Sequence, residues 1–299
     1  MMFKPSEWGR LMRSIGCSGG IPMIKQAVNR ALYWPGAGKR RKHRVALVKN
    51  LIPILEYDDY PVSVMMPDHE HLDLNLPERA VFAFLEDTVD RYAEKHHAKT
   101  VSHFVSATKP YPVYVLDEDG VQVCLMQAPV GAPAAVQILD WMIGYGVKKI
   151  VSAGSCGVLE DIDEGKFLIP VKALRDEGTS YHYLPPSRFV HVSDRVSKAI
   201  EKIITAHEFS FTEVMTWSTD GFFRETREKV LYRKKEGCSA VEMECSALAA
   251  CAQMRGAEWG ELLYAGDTLA DVNQHDERGF GDGSREIALQ LCMEVVKLL

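Results

Sequence analysis

Apolar positions along this chain switch between helical and strand spacing, and from about residue 61 onward the switches mark out alternating helices and strands. Pro77 opens a stretch in which Val81, Leu85, Val89 and Tyr92 fall at i, i+4, i+8 and i+11, which predicts a helix over 77–92. Residues 112–116 and 121–127 read as the arms of a hairpin turned at Asp117-Glu118-Asp119-Gly120. Pro133 near the start, a stripe of Val136, Leu139, Met142 and Ile143, and Gly146 at the end predict the next helix.

Residues 147–153 form a nearly continuous apolar run, the type of strand that is buried on both faces. Further strands are predicted at 167–171, 213–217 and 261–265, the last delivering Gly266-Asp267. Helices are predicted from a cap at Ser193 or Asp194 to about His207, over the alanine-rich 239–255 stopped by Gly256, and over 284–299 with Ile287, Leu291, Val295 and Leu298 on one side. Such alternation favours a layered α/β domain around a mostly parallel sheet. The first 60 residues differ in texture. Gly9, Gly16, Gly19, Gly20, Gly36 and Gly38 punctuate short helical pieces such as 22–32, and Tyr33 and Trp34 follow. The expected organisation is an N-terminal extension over 1–60, packed on the main domain or on a neighbouring subunit, and a main domain over 61–299.

Composition narrows the function classes. At 299 residues the chain is long enough for a sizeable core, and 46% hydrophobic with 25% charged residues is ordinary for a globular protein. A formal charge of −6 gives no global reason for a nucleic-acid partner. The local exception is the basic run Lys39-Arg40-Arg41-Lys42-His43-Arg44, a solvated loop or a contact for phosphate or an acidic partner. Seven cysteines, at 17, 124, 156, 238, 245, 251 and 292, include no CxxC pair, which favours buried thiols in a reducing compartment. No apolar leader and no stretch of about 18 apolar residues is present, so a cytoplasmic protein without membrane association is expected.

Four segments carry candidate chemistry. Gly154-Ser155-Cys156-Gly157, directly after the 147–153 strand, reads as a strand-to-loop anion cradle, in which glycines let successive N–H groups point at an anion and Ser155 adds a hydroxyl. GxxG is also a generic tight turn, and the GxGxxG dinucleotide fingerprint is absent. Cys156 has no recognisable histidine partner and reads as a packed thiol. Glu242-Met243-Glu244 puts two carboxylates at the start of an apolar segment. They either complement the helix dipole or accept hydrogen bonds from a pair of sugar hydroxyls. In the segment 217–225, Trp217, Phe222 and Phe223 cluster with Arg224. Trp217 and Arg224 are candidates for a planar base, and the two phenylalanines read better as a cap on the core. Asp267 stands at the C-terminal end of an apolar strand, where α/β folds place ligands, as a general acid or as a turn residue. Asp271, His275 and Asp276 match no standard metal-ligand spacing and read as a solvated loop.

As a set, in order and spacing, these segments resemble the nucleoside phosphorylase superfamily, nearest to uridine and purine nucleoside phosphorylases. Similar pieces include Gly146-Val147-Lys148-Lys149-Ile150, Asp163-Glu164-Gly165-Lys166-Phe167-Leu168-Ile169-Pro170 and Arg175-Asp176-Glu177-Gly178-Thr179-Ser180-Tyr181-His182, so the likeness covers roughly 62–299. The resemblance implies a three-layer α/β fold with a twisted, partly barrel-like central sheet, assembled as a dimer, trimer or hexamer. It implies reversible phosphorolysis of a nucleoside, with uridine a candidate, using inorganic phosphate as co-substrate and no cofactor or metal. Carried over, Gly154, Ser155 and Cys156 would bind phosphate, Met243 would pack under the ribose, and Glu244 with Glu242 would hold its hydroxyls. Trp217 would stack on the base, and Asp267 would meet the leaving base.

The chain also departs from the pattern. The family's N-terminal phosphate loop is not recognisable in Met66-Pro67-Asp68-His69 or Leu76-Pro77-Glu78-Arg79, and Ser152 replaces an arginine before the glycine segment. Lys109 or Arg79 would have to supply the missing cation. Without one, hydrolysis by water, or nucleoside binding without turnover, becomes the competing expectation.

Overall fold

The computed structural model describes residues 47–299, which lie within one compact unit, His43–Leu299. The helical piece at 22–32, Tyr33, Trp34, the basic run 39–44 and Cys17 lie outside the described residues. Among the described residues the order is β1 (Arg79–Ala83), α1 (Thr88–Lys95), β2 (Lys99–Val105), β3 (Pro110–Glu118), β4 (Val121–Gln127), α2 (Ala132–Gly144), β5 (Lys149–Val158), β6 (Phe167–Asp176) and β7 (Phe189–His191). Then come α3 (Asp194–Ala206), β8 (Phe211–Thr219), α4 (Arg227–Lys235), β9 (Cys238–Glu242), α5 (Cys245–Arg255), β10 (Glu258–Thr268) and α6 (Arg285–Leu298).

Strand pairing runs β5–β10–β6–β8–β9 and then returns from β9 to β5, so these five strands close a small barrel. From β5 the sheet continues outward as an open wing, β1–β4–β3–β2, and β7 adds to β6. Pairing is parallel along β4–β1–β5–β10 and along β6–β8–β9. The two blocks meet antiparallel at β5–β9 and β10–β6. The expected α/β layering with a partly barrel-like sheet is what the chain forms. Helices α1, α3 and α6 cover one face, where Val89, Ile200, Ile204, Leu289 and Val296 join strand residues Val81, Leu125, Val151 and Leu262 in one core. On the other side α2 and α5 pack together, pinned by Arg255, which donates to both carboxylate oxygens of Asp140 at 2.7 and 2.9 Å.

Several boundaries differ from the expected ones, each for a physical reason. The helix expected at 77–92 is strand β1, a turn, and then the short α1. Val81, Leu85 and Val89 are all buried in the same core, one on the strand, one in the turn and one on the helix. A central strand covered on both faces carries no alternation, so its apolar run fitted a period of four by coincidence. The helix expected over 239–255 is strand β9 followed by α5, because 238–242 is needed to close the barrel between β8 and β5. The hairpin is as expected, with Asp117 accepting the Gly120 N–H at 2.7 Å. Strands β2 and β7 and helix α4 were not foreseen. The six cysteines among the described residues are free and buried, and no described helix is long and apolar enough to cross a membrane.

Candidate active site

Ser155 is the exposed residue in the otherwise buried or half-buried strand β5. Two residues earlier, Ala153 accepts the N–H of Phe84 beyond the end of β1 at 2.8 Å, and two residues later Gly157 pairs with Val241 of β9. Backbone groups alternate sides along a strand, so Ser155 turns its N–H and C=O into the interval between the end of β1 and the end of β9. The segment expected to be a loop beyond the strand is therefore part of it. Gly154, Ser155 and Cys156 run in register with Leu263, Tyr264 and Ala265 of β10, so their N–H groups do not gather on one anion. What is left of the cradle is Ser155, with its hydroxyl and its own backbone. The side-chain space of Gly154 is taken by Phe84, whose Cβ would lie 3.3 Å from an added methyl. Cys156 is buried, with its Sγ 3.7 Å from the Tyr264 carbonyl. Burial, and then the carboxyls of Glu242, Glu261 and Asp267, push its thiol well above the ordinary range, which disqualifies it as a nucleophile.

The antiparallel register of Gly157 with Val241 leads the chain from β9 past Cys156 and into the acidic segment. Glu242 is not on a helix but at the end of β9, buried, with both oxygens engaged. One oxygen accepts from Ser218 at 2.6 Å and Thr216 at 3.3 Å. The other accepts the N–H groups of Glu244 and Cys245, each at 2.6 Å. It thereby satisfies donors at the start of α5 that would otherwise be orphaned. Its role is to end the strand, start the helix and aim the next residues. Met243 is half-buried, and Glu244 is buried at the N-terminal boundary of α5. The N–H of Gly131, at the start of α2, is donated to the Glu244 carboxylate. Burial first and the neighbouring Glu242 second push Glu244 up to about 8, against the pull of the Gly131 and Met243 backbone. Glu261 of β10 adds a third carboxyl. It is buried, its Oε2 has no hydrogen-bond partner, and burial with Glu242 and Glu244 drives it well above the usual carboxylate range.

Asp267 belongs to the neighbouring strand, β10. It is buried at the end of β10, and Gly157 lets it approach, since a Cβ at Gly157 would sit 3.2 Å from Asp267 Oδ1 and 3.0 Å from Val241. Its Oδ2 lies 2.8 Å from Nε2 of His275. Glu225, following the turn Phe222–Arg224, is pushed up to about 7 by burial and then by the charge of Asp267, against Lys229 and His275. His275 thus turns toward Asp267, and among the described residues no cluster of three or more histidine, cysteine or acidic side chains is placed to hold a metal.

Two base-side expectations change. Trp217 is completely buried, packed with Leu174, Val230 and Cys238, with its Nε1 donated to Asp176 at 2.9 Å and Lys229 and Arg233 near its ring. It has no free face for a base, because β8 is an interior barrel strand. Arg224 is exposed in the turn Phe222–Arg224, and Phe222 and Phe223 are exposed too, not caps on the core; Phe223 is 92% exposed. These two rings meet edge to face at 4.9 Å and are the aromatic surface that the sequence reading missed. As for cations, Arg79 stands at the start of β1, the end of the strand remote from Ser155, beside Glu78 at 3.9 Å. Lys109 lies over the Tyr111 ring at 4.6 Å. The turn that follows β1 brings Phe84, Leu85, Glu86 and Asp87. Glu86 is paired with Arg285 at 2.9 Å and Asp87 with Arg91.

The sequence pattern of the phosphorylase superfamily matches residues 78–298. The chain belongs to that superfamily. The guanosine phosphorylase of Halorubrum lacusprofundi is 25% identical over 177 residues, spanning 58% of this chain and 72% of that protein. Among solved structures, uridine phosphorylase from Vibrio fischeri superposes with a TM-score of 0.64 at 21% identity, over 75% of this chain and 93% of that one. AMP nucleosidase from Bacteroides thetaiotaomicron superposes with a TM-score of 0.61 at 21% identity, over 75% and 89%. At these identities the structural likeness is one of fold. The superfamily fold thus accommodates proteins named as phosphorylases and as nucleosidases, and the choice between the two rests on the residues of the site.

Proposed function

We propose that this superfamily member cleaves the N-glycosidic bond of a nucleoside, with Glu244 holding the ribose hydroxyls and Asp267 facing the leaving base. The observation that carries the reading is the register of three neighbouring strands: Ser155 of β5 lies opposite Tyr264 of β10, three residues before Asp267, and Gly157 of β5 pairs with Val241 of β9, three residues before Glu244. In such a reaction the C1′–N bond stretches, positive charge grows on the sugar, and the departing base needs a proton or a hydrogen bond. A buried carboxylate at the ribose, and an acid group on the far side, supply those two needs. A purine offers a basic ring nitrogen, N7, that an acid can protonate as the bond breaks, whereas uracil has none, so an acid group at Asp267 favours a purine over uridine.

The acceptor of the sugar is phosphate in the first reading, received by Ser155, as in the phosphorylases that the chain resembles. A second reading, in which water is the acceptor, is favoured by one observation: the turn beside Ser155 carries Glu86 and Asp87, and Phe84 fills the space next to Gly154. Both carboxylates are ion-paired, Glu86 with Arg285 and Asp87 with Arg91, so the arginines at this turn are already engaged and less available to a dianion. Incubating the purified protein with a panel of purine and pyrimidine ribonucleosides, with and without phosphate, separates the readings. Base release that requires phosphate and yields ribose 1-phosphate supports phosphorolysis, and equal release without phosphate supports hydrolysis. No base release from any member of the panel overturns the proposal. A small-molecule enzyme of this kind has nucleoside and acceptor as its partners, with neither nucleic acid nor membrane, and acts as a cytoplasmic homo-oligomer.

A further inference from the structure

Asp267 is buried, yet an acid that protonates one base per turnover must regain a proton each cycle. The side chain of Asp267 is 10% exposed, so solvent reaches it poorly. Its hydrogen-bond partner His275, at 2.8 Å, is 44% exposed and therefore joins the buried carboxyl to bulk water. Imidazole is the side chain that takes up and releases protons near neutral pH, on two different nitrogens. His275 comes from the loop after β10, whose backbone is fixed to the strand end by the Thr268–Asp276 bridge, with N–H to O distances of 3.0 and 3.3 Å. The imidazole is therefore held at the strand end by backbone as well as by Asp267.

We propose that His275 is the proton relay of this site, recharging Asp267 from solvent after each base departs. The inference rests on the reading that Asp267 protonates the leaving base. The C1′–N bond breaks and its electron pair goes to the base, while the acceptor oxygen bonds C1′ and the proton it gives up passes to solvent. The O–H of Asp267 breaks and its proton forms an N–H on the base. The Nε2–H of the His275 imidazolium then breaks, its proton forms the new O–H on Asp267 Oδ2, and the ring regains a proton from water. The charged and titratable groups around the relay are Asp267 on β10, Glu225 after the Phe222–Arg224 turn, Lys229 on α4, Cys156 on β5 and Asp276 beside His275.

The test compares wild type and His275→Gln on two substrates, a purine ribonucleoside and 4-nitrophenyl β-D-ribofuranoside, whose leaving group needs no proton. Glutamine keeps a hydrogen bond to Asp267 but relays nothing. The expected result is a fall in kcat of about tenfold to a hundredfold on the nucleoside, with KM little changed and the rate recovered by added imidazole. The rate on the nitrophenyl riboside stays near wild type. Equal losses on both substrates show that His275 only supports the structure, and wild-type rates on both show that no relay is needed; either result overturns the relay alone. If the wild type cleaves neither substrate, the glycosidic reading fails and the relay falls with it.

Discussion

Gly131 donates its backbone N–H to the carboxylate of Glu244, joining the first turn of α2 to the N-terminal boundary of α5 across more than a hundred residues of sequence. Gly131 has φ of 100° and ψ of 130°, a conformation essentially reserved for glycine. The hydrogen bond therefore depends on a residue type chosen for backbone shape. A Cβ at Gly131 would meet nothing within 4 Å, so replacement acts through the backbone and not through a clash. Gly131→Ala is expected to lower stability by about 1–3 kcal/mol and to raise KM for a ribonucleoside as Glu244 loses its support. Thermal melts and initial rates on the same preparation check both effects. An unchanged KM with a lowered Tm would separate the bond from the ribose contact.

Glu244 also predicts how stability follows pH. Its folded value, near 8, lies above the ordinary glutamate value of 4.5. Between those limits the folded protein holds more proton than the unfolded chain, so this group's stabilisation is complete below about pH 4.5 and is lost as pH rises toward about 8. Glu225, pushed up to about 7, acts in the same direction over a shorter window. Glu244→Gln removes the titrating group. It is expected to flatten the fall of Tm between pH 5 and 8 and to leave the variant more stable than wild type at pH 8, by on the order of a few kcal/mol. Melts across that range decide the point, and a steeper fall in the variant would contradict it.

Glu242 is expected to behave differently from its neighbour, because its oxygens serve the fold. Glu242→Ala strands the Ser218 hydroxyl and the N–H groups of Glu244 and Cys245 in a buried site, and should cost about 3 kcal/mol or more. Glu242→Gln keeps an acceptor for the backbone donors and an amide for Ser218, so its loss should be less than half as large. Denaturant unfolding of the two variants measures the difference.

Much of this was legible in the sequence, and the parts that were not share a cause. The fold class, the β3–β4 hairpin, α2 and the extent of α6 followed from periodicity and turn residues, although α6 turns Leu291 and Val295 of the expected stripe into the core and leaves Ile287 and Leu298 exposed. The errors fell on 77–92 and 239–255, where a fully buried strand is followed closely by a helix and the apolar residues of both merge into one pattern. Ser155 was found but its surroundings were misjudged, since nothing local in Gly154-Ser155-Cys156-Gly157 says that β10 continues alongside it. Trp217 shows the same limit in reverse. An aromatic beside polar residues reads as a ligand contact until barrel closure buries it. His275 was seen only as a member of an unlikely metal set, because its pairing with Asp267 depends on the Thr268–Asp276 bridge.

The central claim is that Glu244 grips the sugar, and it is tested most directly by kcat/KM for base release from a purine ribonucleoside and its 2′-deoxy counterpart, in wild type and in Glu244→Ala. Wild type is expected to prefer the ribonucleoside. The variant is expected to lose about a hundredfold or more on it, falling to a rate at which the 2′-hydroxyl no longer matters. A variant that retains both the wild-type rate and the wild-type preference would show that the ribose is held elsewhere.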